Sequence, residues 1–329
     1  MTRKAVQLAL GGAVAALFLW LTLRDMDVAA LRAAAAGLRA PWIAAAMGFL
    51  ALGYAARVRR WRSMLLPHNP GLGMGRAGVA FLGSIAANNL LPFRAGDVLR
   101  AFGFCRWLGV PSAPVLASVL VERLLDLVTL ILALALALLV FQPGGESGAL
   151  LRAGAGGLAL LGLVSAGLLF RPALLDPLIA AVLALLRPVS PAVALRLAGF
   201  ADPLRRALAD LARGRRMAGL ALWSLAVWAC EGAGYWAIAR ALPQLHQPEA
   251  AWLVMPVGTL STLLPSTPGH VGTFDFFART AAEAAGNAPA AATAYALVSH
   301  VAFWLPLTLV GSGCLIWWAL RRDEEKGAA

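Results

Sequence analysis

Long apolar runs without a single charge recur along this chain, and they restrict it to folds that bury such runs in a membrane. Residues 5–23 contain no Lys, Arg, Asp or Glu, and about 20 apolar helical residues cross a hydrocarbon core of roughly 30 Å. The chain is 60% hydrophobic and 13% charged, against roughly 45–50% and about 25% for soluble domains. The sequence therefore predicts an all-α polytopic integral membrane protein and excludes a soluble enzyme, a disordered chain or a disulfide scaffold.

The apolar runs predict about six full spans within a single transmembrane domain, residues 1–329. These spans are residues 5–23, 41–56, 114–141, 149–170, 217–239 and 290–320. Arg3 and Lys4 resemble the start of a signal peptide, but residues 24–27 are not a small-residue cleavage site, so we expect the first span to be retained. Residues 173–186 are short for a span, and we expect them to lie at the interface or to enter partway.

Two shorter apolar segments, residues 79–91 and 251–264, each end in Leu-Leu-Pro followed by a glycine-containing loop. Pairs of interrupted segments in two halves of a chain mark the central site of many transporters. We therefore predict two broken re-entrant helical hairpins in an inverted repeat, with approximate halves 1–150 and 151–329. Two ordinary hairpins that cross the membrane fully remain the alternative. The predicted structural breaks are Pro92, Pro265 and Pro268.

The basic residues predict an orientation. With a cytoplasmic amino terminus, 21 of the 28 Lys and Arg residues lie on the cytoplasmic side, including the 8 from Arg57 to Arg106. Another 6 lie on the opposite side, and Arg123 lies within a span. This asymmetry follows the positive-inside rule, so both termini are expected in the cytoplasm. The net charge of +12 is expected to face anionic lipid headgroups rather than nucleic acid, because the basic residues lie between apolar runs.

Polar residues surround the first predicted break. Backbone groups freed by a break cannot face lipid, so they must be buried or line a wet cavity. Gly96 and Asp97 can start a new helix, with Asp97 near its N-cap. Arginine binds phosphate through two parallel hydrogen bonds, which favours an anion site here. Its candidate residues are Asn88, Asn89, Arg94, Gly96, Asp97 and Arg100. The alternative is that Arg94 and Arg100 only snorkel to headgroups.

Three ionisable residues lie inside the third predicted span: Glu122, Arg123 and Asp126. Ionisable groups in the membrane are costly and usually mark a site. Glu122 and Asp126 share one helical face, and Arg123 precedes Asp126 by three residues. Two carboxylates beside one arginine call for a second cation, for which Arg94 or Arg100 is the natural candidate. A purely structural ion network is the alternative.

The second break contributes its own candidates. Backbone amides around Gly269 and Gly272 could face a ligand, and Asp275 in the next helical turn is either a site residue or a helix start. Residues 284–320 contain no Asp, Glu, Lys or Arg, and His300 is their only histidine. We therefore expect His300 to face a cavity. Glu231 interrupts a span and is a candidate partner for an arginine.

The remaining titratable residues suggest no metal site and no cofactor. Cys105, Cys230 and Cys314 are isolated in the sequence, so they are interpreted as small apolar residues within helices. His270 is expected on a solvated loop. Glycine-rich runs such as residues 71–75 lack the Gly-Lys-Ser/Thr ending of an ATP-binding loop, so we do not expect ATP to drive this protein.

Three motifs, in this order, resemble the lysylphosphatidylglycerol synthase transmembrane family. They are Asn-x-Leu-Leu-Pro-x-Arg-x-Gly-Asp-x-x-Arg at 88–100, Glu-Arg-x-x-Asp at 122–126 and Pro-x-x-Pro-Gly-x-x-Gly-x-x-Asp at 265–275. The resemblance covers about residues 5–320. The family usually has Glu where Asp275 stands, and Arg or His where His300 stands. The resemblance implies a flippase-like protein; members fused to an aminoacyl-transferase domain modify phosphatidylglycerol and then flip it. The residues after 320 are expected to be too few for that domain, which implies the translocation module alone.

The residues and the resemblance together predict a lipid flippase of the bacterial inner membrane. An anionic phospholipid or lipid-linked substrate would pass through a polar cavity between opposed hairpins, with its phosphate held by Arg94, Arg100 and Arg123. Glu122, Asp126 and Asp275 would complete the network. One alternative is a membrane-embedded lipid or glycosyl transferase with Glu122 and Asp126 as acid and base. Another is a non-catalytic subunit of an envelope enzyme. A homo-oligomer or an envelope-enzyme partner is compatible with the flippase.

Overall fold

The computed structural model describes residues 37–91, 94–264 and 268–327, and the regular elements within these residues are all helical. The twelve α-helices of the described part are α1 Ala40–Leu65, α2 Met74–Leu90, α3 Ala95–Val98, α4 Cys105–Leu108, α5 Ser112–Phe141, α6 Gly145–Phe170, α7 Asp176–Leu186, α8 Pro191–Leu211, α9 Gly214–Ala241, α10 Ala251–Ser261, α11 Thr273–Ala284 and α12 Pro289–Gly327. A π-helix, Leu99–Gly103, follows α3, and 3₁₀ turns lie at Pro172–Leu175, Pro248–Ala250 and Pro268–His270.

Five of these helices contain a stretch long and apolar enough to cross a membrane. They are Ala40–Leu65, Ser112–Phe141, Gly148–Phe170, Gly214–Ala241 and Pro289–Arg321. They confirm the all-α polytopic fold and five of the six predicted spans; the first, residues 5–23, lies outside the described residues. The segment predicted to be too short for a span forms a short apolar helical stretch, Pro172–Leu186.

The predicted end of the second span, residue 56, was wrong, because α1 continues for more than two further turns to Leu65. The charged residues Arg57 and Arg60 lie on the same buried stripe of α1 as Ala46, Leu50 and Gly53. This stripe follows the spacing of three and four residues expected for one helical face. The two arginines remain in the helix because carboxylates of neighbouring helices face them.

Close packing of α1 against α9 and of α2 against α12 forms much of the bundle. Small residues allow the backbones to approach, as is usual between membrane helices. At Gly311 of α12, a Cβ atom would lie 2.3 Å from the carbonyl oxygen of Leu82 in α2. The indole N–H of Trp61 in α1 donates to the hydroxyl of Ser118 in α5 at 2.9 Å. These contacts position α1, α5 and α9 around a polar interior.

Both predicted breaks interrupt helices. α2 ends at Leu90, and Leu91 has extended backbone (φ −112°, ψ 146°), as its position before Pro92 predicts. After the break, Arg94 has left-handed backbone (φ 51°, ψ 41°) and leads into α3. In the second half α10 ends at Ser261, and Pro268 begins a 3₁₀ turn before α11. Pro92 and Pro265 themselves lie outside the described residues.

The order of elements around the first break recurs around the second. A long helix, a shorter helix, a break, a further helical segment and a second long helix follow one another as α1, α2, α3 and α5, and again as α9, α10, α11 and α12. The two breaks approach each other, since α2 contacts the 3₁₀ turn Pro268–His270. The polar residues of both halves therefore lie in one region of the bundle.

Candidate functional site

A cavity of about 290 Å³ with charged side chains in its wall lies among α1, α2, α5, α9, α10 and the first break. Three arginines and three carboxylates lie in its wall: Arg57, Arg94, Arg123, Glu122, Asp126 and Glu231. A smaller cavity of about 140 Å³ adjoins it and shares the wall residues Tyr54, Glu231 and Thr262. We call these the arginine cavity and the histidine cavity, since the smaller one is lined by His270 and His300.

Asn88 fixes the start of the helical segment after the first break. Its side-chain amide donates to Asp97 Oδ1 at 3.1 Å, and its Oδ1 accepts from the Asp97 backbone N–H at 3.2 Å. The helix begins at Ala95, so the prediction that it starts at Gly96 and Asp97 was one residue late. A Cβ atom on Gly96 would lie 1.9 Å from the carbonyl oxygen of Ser84. Gly96 therefore permits close approach to α2.

Asp97 is the principal partner of Arg123. The Arg123 guanidinium donates to both carboxylate oxygens, with Nη2–Oδ1 at 2.8 Å and Nε–Oδ2 at 3.2 Å. Glu122 lies farther away, at 3.7 Å. Arg123 therefore pairs across to α3 rather than with Asp126 of its own helix. The Arg123 side chain keeps 32% of its surface exposed and lines the arginine cavity.

Arg100 is the second cation expected near Glu122, and this expectation is confirmed. Its Nη2 donates to Glu122 Oε1 at 2.8 Å, and the two side chains are 0% and 1% exposed. The guanidinium also lies over the rings of Trp61 and Phe81, 5.2 and 4.7 Å from their centroids. Since Arg100 is fully buried and is not in the cavity wall, the structure does not support its predicted contact with a substrate phosphate.

Two arginines that the charge count places on the cytoplasmic side neutralise the remaining carboxylates. Arg60 Nη1 lies 2.7 Å from Asp126 Oδ1, and Arg57 forms an ion pair with Glu231. Glu231, which the sequence offered as a candidate partner for an arginine, pairs with Arg57. The helical stripe in α1 that contains Arg57 and Arg60 was the signal that could have identified them.

Arg94 differs from the other arginines around the cavity. Arg57, Arg60, Arg100 and Arg123 each have a different principal carboxylate partner. Arg94 forms an ion pair with none of the described carboxylates; its hydrogen bond there goes to the Thr262 carbonyl oxygen, at 3.4 Å. It is half-buried and lines the arginine cavity. Among these five arginines and the four carboxylates that they face, one positive charge is thus left without an opposite charge.

The second break is held by His300. Its Nδ1 lies 2.8 Å from Asp275 Oδ1, and its Nε2 lies 2.8 Å from the Gly269 carbonyl oxygen. The Gly272 backbone N–H donates to Asp275 Oδ2 at 2.9 Å. The idea that the Gly272 amide faces a ligand was therefore wrong, because Asp275 in the first turn of α11 already accepts its hydrogen. His300 faces the histidine cavity, as expected.

Two other residues lie elsewhere than expected. Asn89 was grouped with the polar residues around the new helix, but its amide donates to Thr308 Oγ1 of α12 at 2.8 Å and it lines the histidine cavity. His270 was expected on a solvated loop, but it is partly buried in the wall of the same cavity. Both residues help to close the space between the two breaks.

The described residues contain no group of three or more His, Cys, Asp or Glu side chains arranged to hold a metal ion. The three cysteines, predicted to be small apolar residues within helices, are free and partly buried in α4, α9 and α12. The chemistry of the site therefore resides in guanidinium, carboxylate, amide and imidazole groups. Such groups bind and orient polar ligands.

These features define a polytopic helical membrane protein with an arginine-lined cavity beside two broken helices. Comparison with protein families identifies the chain further. Residues 8–311 match the family described as the lysylphosphatidylglycerol synthase TM region, and the chain belongs to that family. This membership indicates a role connected with membrane lipids. Comparison with curated proteins and with solved structures gave no significant match.

Proposed function

We propose that this protein moves an anionic phospholipid, or another lipid-linked anionic substrate, across the bacterial inner membrane. The observation that carries the proposal is the unmatched charge of Arg94 in the wall of the arginine cavity. An unpaired charge inside a membrane protein is costly, and a phosphate group would supply the missing negative charge. Arg94 would bind the phosphate, with the partly exposed Arg123 beside it. Arginine suits this role because its fork of donors matches phosphate geometry.

In this proposal the two broken segments are re-entrant hairpins of an inverted repeat, with the cavity between them. The repeated element order and the contact between the two breaks support this arrangement. Both termini would lie in the cytoplasm. A phosphate that displaces Asp97 from Arg123 would loosen the link between α3 and α5, which would couple headgroup binding to movement of the first hairpin.

We propose translocation rather than covalent transfer. The transferase alternative requires Glu122 and Asp126 as acid and base, but each carboxylate accepts hydrogen bonds from a buried arginine. The oxygen atoms of both carboxylates are therefore engaged by guanidinium groups of the protein itself, which favours a structural role for Glu122 and Asp126 over a role as free acid and base.

The test uses purified protein in phosphatidylcholine liposomes that contain a fluorescent phosphatidylglycerol. A membrane-impermeant quencher measures lipid that changes leaflet, and mass spectrometry of the extracted lipid detects covalent change. We expect wild-type protein to move the lipid unmodified. Arg94→Ala should slow the movement about tenfold to a hundredfold, as expected for a hydrogen bond to a charged group worth roughly 1.5–3 kcal/mol. The translocation rate of Arg94→Lys should lie between those of the wild type and Arg94→Ala, because an ammonium group cannot form the two parallel hydrogen bonds that a guanidinium group forms with phosphate.

Arg106→Ala is the matched control, because Arg106 is an exposed arginine of α4 close to the same hairpin in the chain. If Arg94→Ala and Arg106→Ala had equal effects, Arg94 would not bind the substrate. If wild-type protein moved no lipid, the flippase function itself would be wrong. A new lipid product would instead identify an enzyme.

A further inference from the structure

An apolar groove of about 510 Å³ lies beside the arginine cavity. One wall is the face of α5 from Thr129 to Phe141; the other includes Leu225 and Ala229 of α9 and Trp252 of α10. The groove is not covered by the described helices along much of its length, since Leu132, Leu136 and Val140 of α5 are 62, 63 and 66% exposed. Its surroundings would be the hydrocarbon of the membrane.

Trp228 joins the groove to the arginine cavity, because its side chain lines both. Its indole N–H donates to Asp126 Oδ1 at 3.3 Å, and the Arg57 guanidinium lies 4.8 Å from its ring centroid. Tryptophan combines a large apolar surface with one polar edge. Here the polar edge is bound within the charged network while the ring also forms part of the apolar wall. A molecule that contacts Trp228 from both sides would be polar at one end and apolar at the other.

The two spaces also follow each other along one helix. The α5 residues that line the arginine cavity lie between Glu122 and Leu130, and those that line the groove lie between Thr129 and Phe141. At 1.5 Å per residue, the groove extends about 18 Å along α5. Half of a bilayer hydrocarbon core of roughly 30 Å is about 15 Å. The groove therefore has the length that one acyl chain occupies in one leaflet.

We infer that this groove holds one acyl chain of a diacyl glycerophospholipid whose phosphate is bound at Arg94. The inference rests on the proposed function, and it adds the place of the lipid tail. The headgroup would lie in the arginine cavity, the glycerol region would lie near Trp228, and one tail would extend along α5 toward Phe141. The protein would then recognise headgroup and tail together, so a water-soluble glycerol phosphate would lack half of its contacts.

The first test replaces Ala229 by the photoreactive residue p-benzoylphenylalanine, with Ala226 as the matched position. Both alanines are exposed on α9, but only Ala229 lines the groove. The protein is placed in phosphatidylcholine liposomes that contain a minor fraction of phosphatidylglycerol, and the crosslinked lipids are identified by mass spectrometry. At position 229 we expect phosphatidylglycerol to be enriched about tenfold over its share of the bilayer, because the unmatched positive charge of Arg94 favours a headgroup of net negative charge over phosphatidylcholine, whose own choline cation balances its phosphate.

The enrichment at position 229 should disappear in Arg94→Ala, whereas crosslinks at position 226 should reflect the bilayer composition in both backgrounds. Equal products at the two positions would mean that the groove contacts only bulk lipid, and would overturn the inference. Crosslinks at position 229 to residues 1–36 of the chain, or to a second copy, would also overturn it, because another occupant would then fill the groove.

A second test fills the groove. Ala133→Phe places a ring in its wall, while Ala135→Phe adds the same ring at an exposed position of α5 outside the groove. We expect Ala133→Phe alone to slow translocation of phosphatidylglycerol severalfold. If wild-type protein translocates the lipid and the two variants behave alike, the tail site is wrong but the flippase function stands. If wild-type protein translocates nothing while the enrichment at position 229 is seen, the flippase function fails and the lipid site stands.

Discussion

Removal of Arg60 alone should destabilise the protein far more than removal of Arg60 together with Asp126. Arg60 has no exposed surface, and its Nη1 lies 2.7 Å from Asp126 Oδ1. In Arg60→Met, Asp126 would keep the Trp228 indole N–H as its hydrogen-bond donor in the described part of the chain. Breaking a buried ion pair by removing one partner costs about 3–5 kcal/mol, and we expect the free energy of unfolding to fall by that amount.

The double variant Arg60→Met with Asp126→Leu removes both charges and fills similar space. Ser224 also contacts Arg60, at 2.6 Å, but its hydroxyl donates to the Leu220 carbonyl and keeps that bond. Apolar replacement of a buried pair is often neutral or stabilising. The free energy of unfolding of the double variant should therefore lie within about 1–2 kcal/mol of the wild-type value, and it should be higher than that of either single variant.

The free energy of unfolding can be measured in mixed micelles with increasing dodecyl sulfate, followed by circular dichroism. The control pair is Arg205–Asp176, whose side chains are 46% and 34% exposed; Arg205→Met should cost no more than about 1 kcal/mol. Two results would contradict this reasoning: a loss of unfolding free energy in Arg60→Met as small as in the control, or a loss in the double variant equal to the sum of the two single losses. Either result would mean that Arg60 and Asp126 do not compensate each other as a buried ion pair.

Three further predictions concern the breaks and the orientation. Gly96→Ala should lower the free energy of unfolding by about 1–3 kcal/mol, since its Cβ meets a carbonyl oxygen of α2, whereas Gly75→Ala, with open space around it, should be neutral or stabilising. His300→Leu leaves Asp275 Oδ1 and the Gly269 carbonyl oxygen without the ring nitrogens that they contact, so amide hydrogen exchange at residues 268–275 should accelerate. Unchanged exchange at these residues would contradict this prediction. A cysteine at Gln244 should react with an impermeant reagent outside the cell and one at Arg213 should not; the reverse labelling would invert the proposed orientation.

Much of the fold could be predicted because its determinants are local. Apolar runs of sufficient length define five described spans, and the restriction before a proline places the first break at Leu91. The end of α1 was missed, because charged residues were taken as the end of a span. Arg57 and Arg60 remain within the helix since each meets a carboxylate of another helix. Those partners are 174 and 66 residues away in sequence.

The membrane orientation inferred from charge is affected by the same pairs. Arg57, Arg60 and Arg100 were counted among the cytoplasmic charges, yet all three are buried in the bundle and bound to carboxylates. The positive-inside rule concerns basic residues in loops and near span ends. The remaining exposed arginines, such as Arg59 and Arg106, still favour the cytoplasm for that side, but with a smaller excess than the sequence alone indicates.

The candidate site shows why its charges could be identified from the sequence but their pairing could not. Neighbours three or four residues apart in one helix stabilise each other by only about 0.2–0.5 kcal/mol, whereas a buried charge must be fully compensated. The principal partners therefore come from different segments: α1 supplies arginines to α5 and α9, the π-helix supplies one to α5, and α5 supplies one to α3. Five arginines face four carboxylates, so one arginine must be left over. The bundle leaves Arg94, which lies directly after the first break and ahead of α3, and this is the arginine to which the proposed function assigns the phosphate.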